Sequence, residues 1–244
     1  YHGWTYDLAG RLRGVPEAEG MEDFDKAQIG LVPVAVETWE HFVFVHLDRD
    51  PPPLAAHLGE LVAQTAPLGL AKLQFVERRE YTLACNWKVF VDNYLDGGYH
   101  VPHLHRGLDS ILDYTSYTIE CFDRMVLQSA PTEGDDPHRR GTARYWWLYP
   151  NLMLNWYEGY LDTNLVVPLG IDRVKVIFEF YFADTARAAE SIAVSEKIQD
   201  EDHAICESVQ RGLSSRAYGA GRLSVRREAG EQRFHQLLAA DLLP

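Results

Sequence analysis

"NWKVFVDNYLDGGYHVPHLH", residues 86–105, opens as a helix and ends as something else. Wound at about 100° per residue, residues 86–100 put Trp87, Phe90, Val91, Tyr94 and Gly98 on one apolar stripe, the core face. Asp92, Asn93, Asp96 and His100 take the other side, and Asp96 and His100, one turn apart, can touch there. On an arbitrary helix such a face is simply the solvated one. The residues that follow change the weighing. His100 and His105 would stand about 140° apart on a straight helix, too far round to share a ligand. Pro102 forbids a straight helix, because it removes a donor and disfavours α-conformation at Val101. Gly97-Gly98 allows further distortion. A forced bend can bring two imidazoles to one point with a carboxylate one turn earlier, and that donor set suits a metal ion. On spacing alone His103 competes as a ligand.

A mononuclear non-haem iron site with two histidines also needs a carboxylate. The longest helical stretch, residues 186–215, offers one. Ile198, Ile205, Cys206, Val209 and Leu213 share a stripe at helical spacing, and Asp202 falls inside it. Asp200, His203 and Glu207 point away. A carboxylate on an apolar face is costly unless it binds metal or is hydrogen-bonded to a neighbour such as Arg or Tyr. Periodicity leaves both readings open.

Around these two segments the chain reads as α+β. Residues 1–48 carry β-patterns, with an Asp-Leu-Ala-Gly turn at 7–10. Three prolines make residues 49–54 the best boundary, with a short helix after it. Beyond lie a strand at 75–83, the helix from about Trp87, a set of antiparallel strand-like runs up to 184, and the long helix. "GDDPHRRG" (134–141) is a loop. The net charge of −13 argues against a nucleic-acid partner. Three scattered cysteines, Cys85, Cys121 and Cys206, make no disulfide framework and point to a reducing, cytoplasmic setting. No apolar run reaches the length of a membrane span. The aromatic run "ARYWWLYPNLMLNWYEGY" (143–160) offers Trp146, Trp147, Trp156 and Tyr157 as faces for a cationic substrate, although most such rings must be ordinary core.

Together these segments resemble the oxygenase α subunit of Rieske non-haem iron oxygenases. "YHGWTYDLAGRL" is similar to the family's Cys-Pro-Tyr-His-Gly-Trp segment without the Cys-Pro, "NWKVFVDNYLDGGYHVPHLH" to its iron-binding helix, and "EDHAICESVQRGL" to the segment with the third ligand. The resemblance implies residues 1–50 as the end of a Rieske iron–sulfur domain. It implies residues 51–244 as a helix-grip catalytic domain. His100, His105 and Asp202 become ligands of a mononuclear Fe2+, His2 a ligand of a 2Fe-2S cluster, and Asp96 the acid that bridges toward the cluster histidine of a neighbouring subunit. In many members that acid stands three residues before the first histidine; here it is four. A Rieske cluster needs two cysteines and two histidines, and three of those four have no counterpart here, so the chain reads as part of a longer α subunit. The implied activity uses dioxygen and electrons from NAD(P)H through a reductase, in a homotrimer. Within the family the likeness is to choline-oxidising members, which implies a small quaternary ammonium substrate. The rival readings are an oxygenase of aromatic rings and, in another class, a non-catalytic helix-grip ligand-binding module.

Overall fold

A computed structural model describes residues 1–104, 112–133 and 139–243. His105 and most of the loop at 134–141 lie outside the described residues. The chain divides into two compact units, Tyr1–Ala56 and His57–Pro244.

The first unit holds two antiparallel hairpins, β1 (Thr5–Tyr6) with β2 (Leu12–Gly14) and β3 (Ala35–Trp39) with β4 (Phe42–His46). The turn expected at 7–10 is present. The Asp7 carboxylate accepts from the backbone N–H of Ala9 and Arg11, 2.9 Å each, and Gly10 takes the left-handed conformation the turn requires. Only Leu12 among these residues is a buried apolar side chain.

Past the prolines come two short helices, α1 (Leu54–Leu58) and α2 (Glu60–Thr65). The second unit is built on seven antiparallel strands in the order β5-β11-β10-β9-β8-β7-β6. They are β5 (Gln74–Leu83), β6 (Thr118–Cys121), β7 (Met125–Pro131), β8 (Thr142–Leu148), β9 (Leu152–Tyr157), β10 (Tyr160–Pro168) and β11 (Val174–Phe182). Between β5 and β6 lie α3 (Trp87–Leu95) and α4 (Val101–Leu104). After the sheet come α5 (Ala188–Leu213) and α6 (Ala229–Leu242). The α+β class holds. No helix among the described residues is long and apolar enough to cross a membrane.

Successive strand side chains point to opposite faces, so one face of the sheet gathers Val176, Phe178, Phe180 and Phe182 of β11 with Trp147, Met153 and Val166 of β8, β9 and β10. Phe90, Val91 and Leu95 of α3, Ile192 and Cys206 of α5, and Phe234 of α6 close over them in one core. Each such side chain contributes about 1.5–3 kcal/mol on burial. Helix α6 was not foreseen from the sequence, which suggested no element past residue 215. Its apolar stripe is short, Phe234 with Leu237 and Leu238. It seats on α3 through Gly230, where an added Cβ would stand 3.0 Å from the Leu95 carbonyl.

Candidate metal centre and its cavity

Helix α3 starts cleanly: Asn86 caps it, its side chain accepting from the Lys88 N–H at 3.1 Å. It stops sooner than its apolar stripe suggests. The helix ends at Leu95, and Gly97 and Gly98 follow with φ of +65° and +66°. Two successive left-handed residues end a right-handed helix, and glycine adopts them without steric cost. The expected helix to residue 100 is therefore corrected. The chain breaks at the glycines, before His100, and not at Pro102. Pro102 instead lies in the first turn of α4, where a missing N–H costs nothing. Val101, expected to avoid α-conformation, opens that helix.

The break aims Asp96 and His100 at each other. Asp96 Oδ2 accepts from the His100 backbone N–H at 3.1 Å and is joined to the ring Nδ1. The other ring nitrogen, Nε2, turns toward α5. It faces Asp202 Oδ1 across 3.8 Å. Asp202 is buried on α5, as its helical phase suggested, at 8% exposure. Its Oδ1 accepts from Asn93 Nδ2 at 2.8 Å and its Oδ2 from Gln199 Nε2 at 3.5 Å.

A metal ion can be shared by an imidazole nitrogen and a carboxylate oxygen that face each other in this way. Donors each about 2.0–2.2 Å from one ion stand at most about 4.4 Å apart, so the separation fits. Imidazole nitrogen and carboxylate oxygen are also the donor types of a non-haem ferrous site. Asp96 orients the imidazole as a metal-bound histidine is usually held. The third expected donor, His105, lies outside the described residues. Among the described residues no group of three His, Cys, Asp or Glu side chains is placed to hold a metal ion. His103 is exposed. His203 packs on Tyr81, ring centroids 4.9 Å apart, and burial lowers its pKa.

A cavity of about 120 Å³ opens beside His100 and Asp202, several times the ~10–15 Å³ that one water needs. Its floor is the sheet. Gln128, Tyr145, Asn155 and Asp162 are successive cross-strand partners on β7, β8, β9 and β10, so they form one polar row on the inner face. Asp162 Oδ1 accepts from Asn155 Nδ2 at 2.6 Å and Asn164 Nδ2 at 3.3 Å, and Oδ2 from the Tyr160 hydroxyl at 2.7 Å. Desolvation raises the Asp162 pKa against those hydrogen bonds and the nearby Arg139. Arg139 donates to Ser195 Oγ at 2.8 Å and lies over the Tyr157 and Tyr160 rings at 5.6 and 5.5 Å.

The aromatic walls are Tyr94, Tyr117, Tyr145 and Tyr157, with Phe90 and Phe178. Of the rings singled out in the sequence, only Tyr157 lines the cavity. Trp146 points through the sheet's other face, its Nε1 donating to Gln64 at 2.7 Å. Trp156 shares that outer face, near Pro67 and Leu68. Trp147 is on the inner face but packs edge-on against Phe234 at 5.4 Å. Sequence reasoning missed Gln128, Asn155, Asp162, Asn164 and Arg139. For the first four the available signal was polar side chains at inward positions of strands that are otherwise apolar; Arg139 stands in the loop before β8 and carried no such signal.

His2 is exposed, its ring 3.8 Å from that of Tyr1. Residues 1–56 contain no cysteine, so the residues present do not fit a Rieske cluster, which takes two cysteines and two histidines.

The chain belongs to the family of ring-hydroxylating alpha subunits, whose catalytic domain matches residues 70–242. Within it, the chain is 39% identical over 263 residues to a chloroplastic choline monooxygenase of Arabidopsis thaliana, covering 99% of this chain and 62% of that protein. It is 30% identical to the carnitine monooxygenase oxygenase subunit of Escherichia coli (strain K12), covering 98% of this chain and 69% of that protein. A quaternary ammonium Rieske monooxygenase in complex with L-carnitine superposes with a TM-score of 0.83 at 26% identity, over 98% of this chain and 70% of that one. The chain thus spans between about half and two thirds of the length of the choline monooxygenases it matches, 56–62%.

Proposed function

We propose that this chain is the catalytic part of a Rieske-type oxygenase α subunit that hydroxylates a small quaternary ammonium compound, choline first. The observation that carries the reading is His100 Nε2 facing Asp202 Oδ1 at the edge of a tyrosine-lined cavity. The names of the relatives, choline and carnitine monooxygenases, support the substrate class. His100 and Asp202, with His105, would hold ferrous iron, which when bound supplies the open positions where dioxygen is activated. Asp96 fixes the His100 tautomer, and Asn93 and Gln199 fix the Asp202 carboxylate. The tyrosine faces receive the cation by cation–π attraction and keep water away from its methyl groups. For the intact protein we propose electrons from NAD(P)H through a separate reductase, a homotrimer, and a further role for Asp96 toward a neighbouring subunit.

The test is the intact α subunit. Iron content and oxygen uptake are measured with reductase, NADH and choline. Stoichiometric iron with aldehyde formation is expected, and Asp202→Ala is expected to lose the iron. Full iron retention by Asp202→Ala would remove that residue from the centre. Turnover of an aromatic acid with none of choline would move the protein to the ring-hydroxylating reading. Asp96→Asn should keep the iron and slow its reduction in the assembly; unchanged kinetics would leave Asp96 no role beyond orienting His100.

A further inference from the structure

We infer that Tyr94 is a fixed hydrogen-bond acceptor in the cavity and selects substrates that carry a hydroxyl group, a reading that rests on the proposed substrate class and narrows it. The polarity follows link by link. Asp162 Oδ1 receives two amide donors, from Asn155 at 2.6 Å and Asn164 at 3.3 Å. That oxygen accepts whether or not the other one carries a proton. The Asn155 amide is therefore oriented with its nitrogen toward Asp162, and the same nitrogen also meets Asn164 Oδ1 at 3.1 Å. Turned round, Asn155 would set oxygen against two oxygens.

Asn155 Oδ1 then points to Tyr94, whose hydroxyl donates to it at 2.8 Å. The only other hydrogen-bond partner of that hydroxyl among the described residues is the Trp146 carbonyl at 3.3 Å, another acceptor. The single phenolic proton is committed between two acceptors. A hydroxyl has two lone pairs, and no donor among the described residues reaches those of Tyr94. Tyr94, Asn155 and Asp162 all line the cavity. Burial raises the Tyr94 pKa well above its ordinary value, which keeps the proton in place. The unmet lone pair wants an O–H or N–H from the ligand. Choline supplies one. A methyl group or a carboxylate at the same point does not. Asp162 and Asn155 act as positioning residues, setting the sense of a hydrogen bond that neither makes to the ligand.

The experiment is calorimetric titration of the intact, iron-loaded α subunit with choline and with propyltrimethylammonium, which carries a methyl group in place of the hydroxyl. The wild type is expected to prefer choline by about three- to tenfold, the worth of one hydrogen bond. Tyr94→Phe should abolish that preference and leave propyltrimethylammonium within about twofold of its wild-type affinity. Asp162→Leu should reduce the preference, while Asp162→Asn, which retains an acceptor oxygen, should preserve it. Equal wild-type binding of the two cations would overturn the inference and leave the substrate class standing, as would equal weakening of both by Tyr94→Phe. Binding of neither cation would overturn the substrate class and this inference with it.

Discussion

The cavity has two walls made in different ways. The helical wall sets Asp202, on the regular α5, against Asp96 and His100, which depend on irregular backbone: a helix cut short, two left-handed glycines and a fresh helix after them. The sheet wall carries Gln128, Tyr145, Asn155 and Asp162 and depends on regularity alone, since register places them in one row. Irregular backbone concentrates the positioning of a site in a few residues that tolerate no change. A row on a sheet spreads it over many contacts, each replaceable in part. The two walls should therefore fail differently under mutation.

The largest effect belongs to Gly97. Its φ is +65°, and an added Cβ would collide with the Arg227 carbonyl and the Ile119 side chain. Backbone strain and overpacking, each about 1–3 kcal/mol, make Gly97→Ala cost about 4 kcal/mol in thermal or denaturant unfolding. Gly98→Ala has a similar φ but meets only the Tyr117 ring, at 3.2 Å, which can shift. It should cost clearly less. Equal losses at the two positions would show that strain alone sets the wall and that the close approach to Arg227 is incidental.

On the sheet wall the largest loss should come from Asp162→Leu. Three donors, on Asn155, Asn164 and Tyr160, each lose an acceptor. Relief of the carboxylate's desolvation offsets part of the cost, leaving about 3 kcal/mol. Asp162→Asn should cost less than half of that, because an acceptor oxygen remains. A larger loss from Asn than from Leu would show that charge, and not hydrogen-bond count, holds the row together.

The same contrast explains what the sequence disclosed. Asp96, His100 and Asp202 stood out because charged and imidazole groups beside a bend or on an apolar stripe are uncommon. The phase of Asp202 was readable since α5 is long and regular. The path of the chain between Asp96 and His100 was not readable, because a 3.6-residue period cannot reveal where two glycines turn left-handed. Asn93 illustrates the same limit: placed on a solvated face, it bonds Asp202 instead. On the sheet the difficulty was parity. A run such as Tyr145-Trp146-Trp147 looks uniformly apolar, and only the register shows that Trp146 faces away from its neighbours.

A pH series sharpens the helical side. Glu231 of α6 is buried among Asp92 of α3, Asp96 just past the end of α3, Glu228 just before α6, and His235 of its own helix. Burial first, and then the carboxylates Asp92, Glu228 and Asp96, push its pKa to about 8. Between the ordinary carboxylate value and about 8 the folded protein holds a proton that the unfolded chain has lost. Stability is therefore fullest in acid, falls as pH rises through that window, and levels off above it. The slope is at most about 1.4 kcal/mol per pH unit, or about 2 kcal/mol across pH 6 to 8 once residual solvent contact is allowed for. His235, raised by its hydrogen bond to Asp92, acts in the same direction. Glu231→Gln should flatten most of this fall in urea titrations at each pH. An unchanged slope would place its origin elsewhere.

The smallest effect tests parity on the sheet wall directly. Trp156 and Tyr157 are adjacent in β9 and face opposite ways: Tyr157 lines the cavity, and Trp156 lies near Pro67 on the outer face. If the cavity holds a quaternary ammonium group, Tyr157→Leu replaces a ring face with an aliphatic side chain and should weaken choline by about 0.5–2 kcal/mol. A neutral tert-butyl analogue of choline feels no quadrupole and should lose less. Trp156→Phe, checked for an intact fold by its melting curve, should leave choline affinity within about twofold, since it changes nothing the ligand touches. Equal losses of choline and the neutral analogue at Tyr157 would mean that the ring supplies apolar area only. A loss at Trp156 to match that at Tyr157 would mean that the sheet transmits changes between its faces, and the contrast between a tolerant row and an intolerant bend would no longer hold.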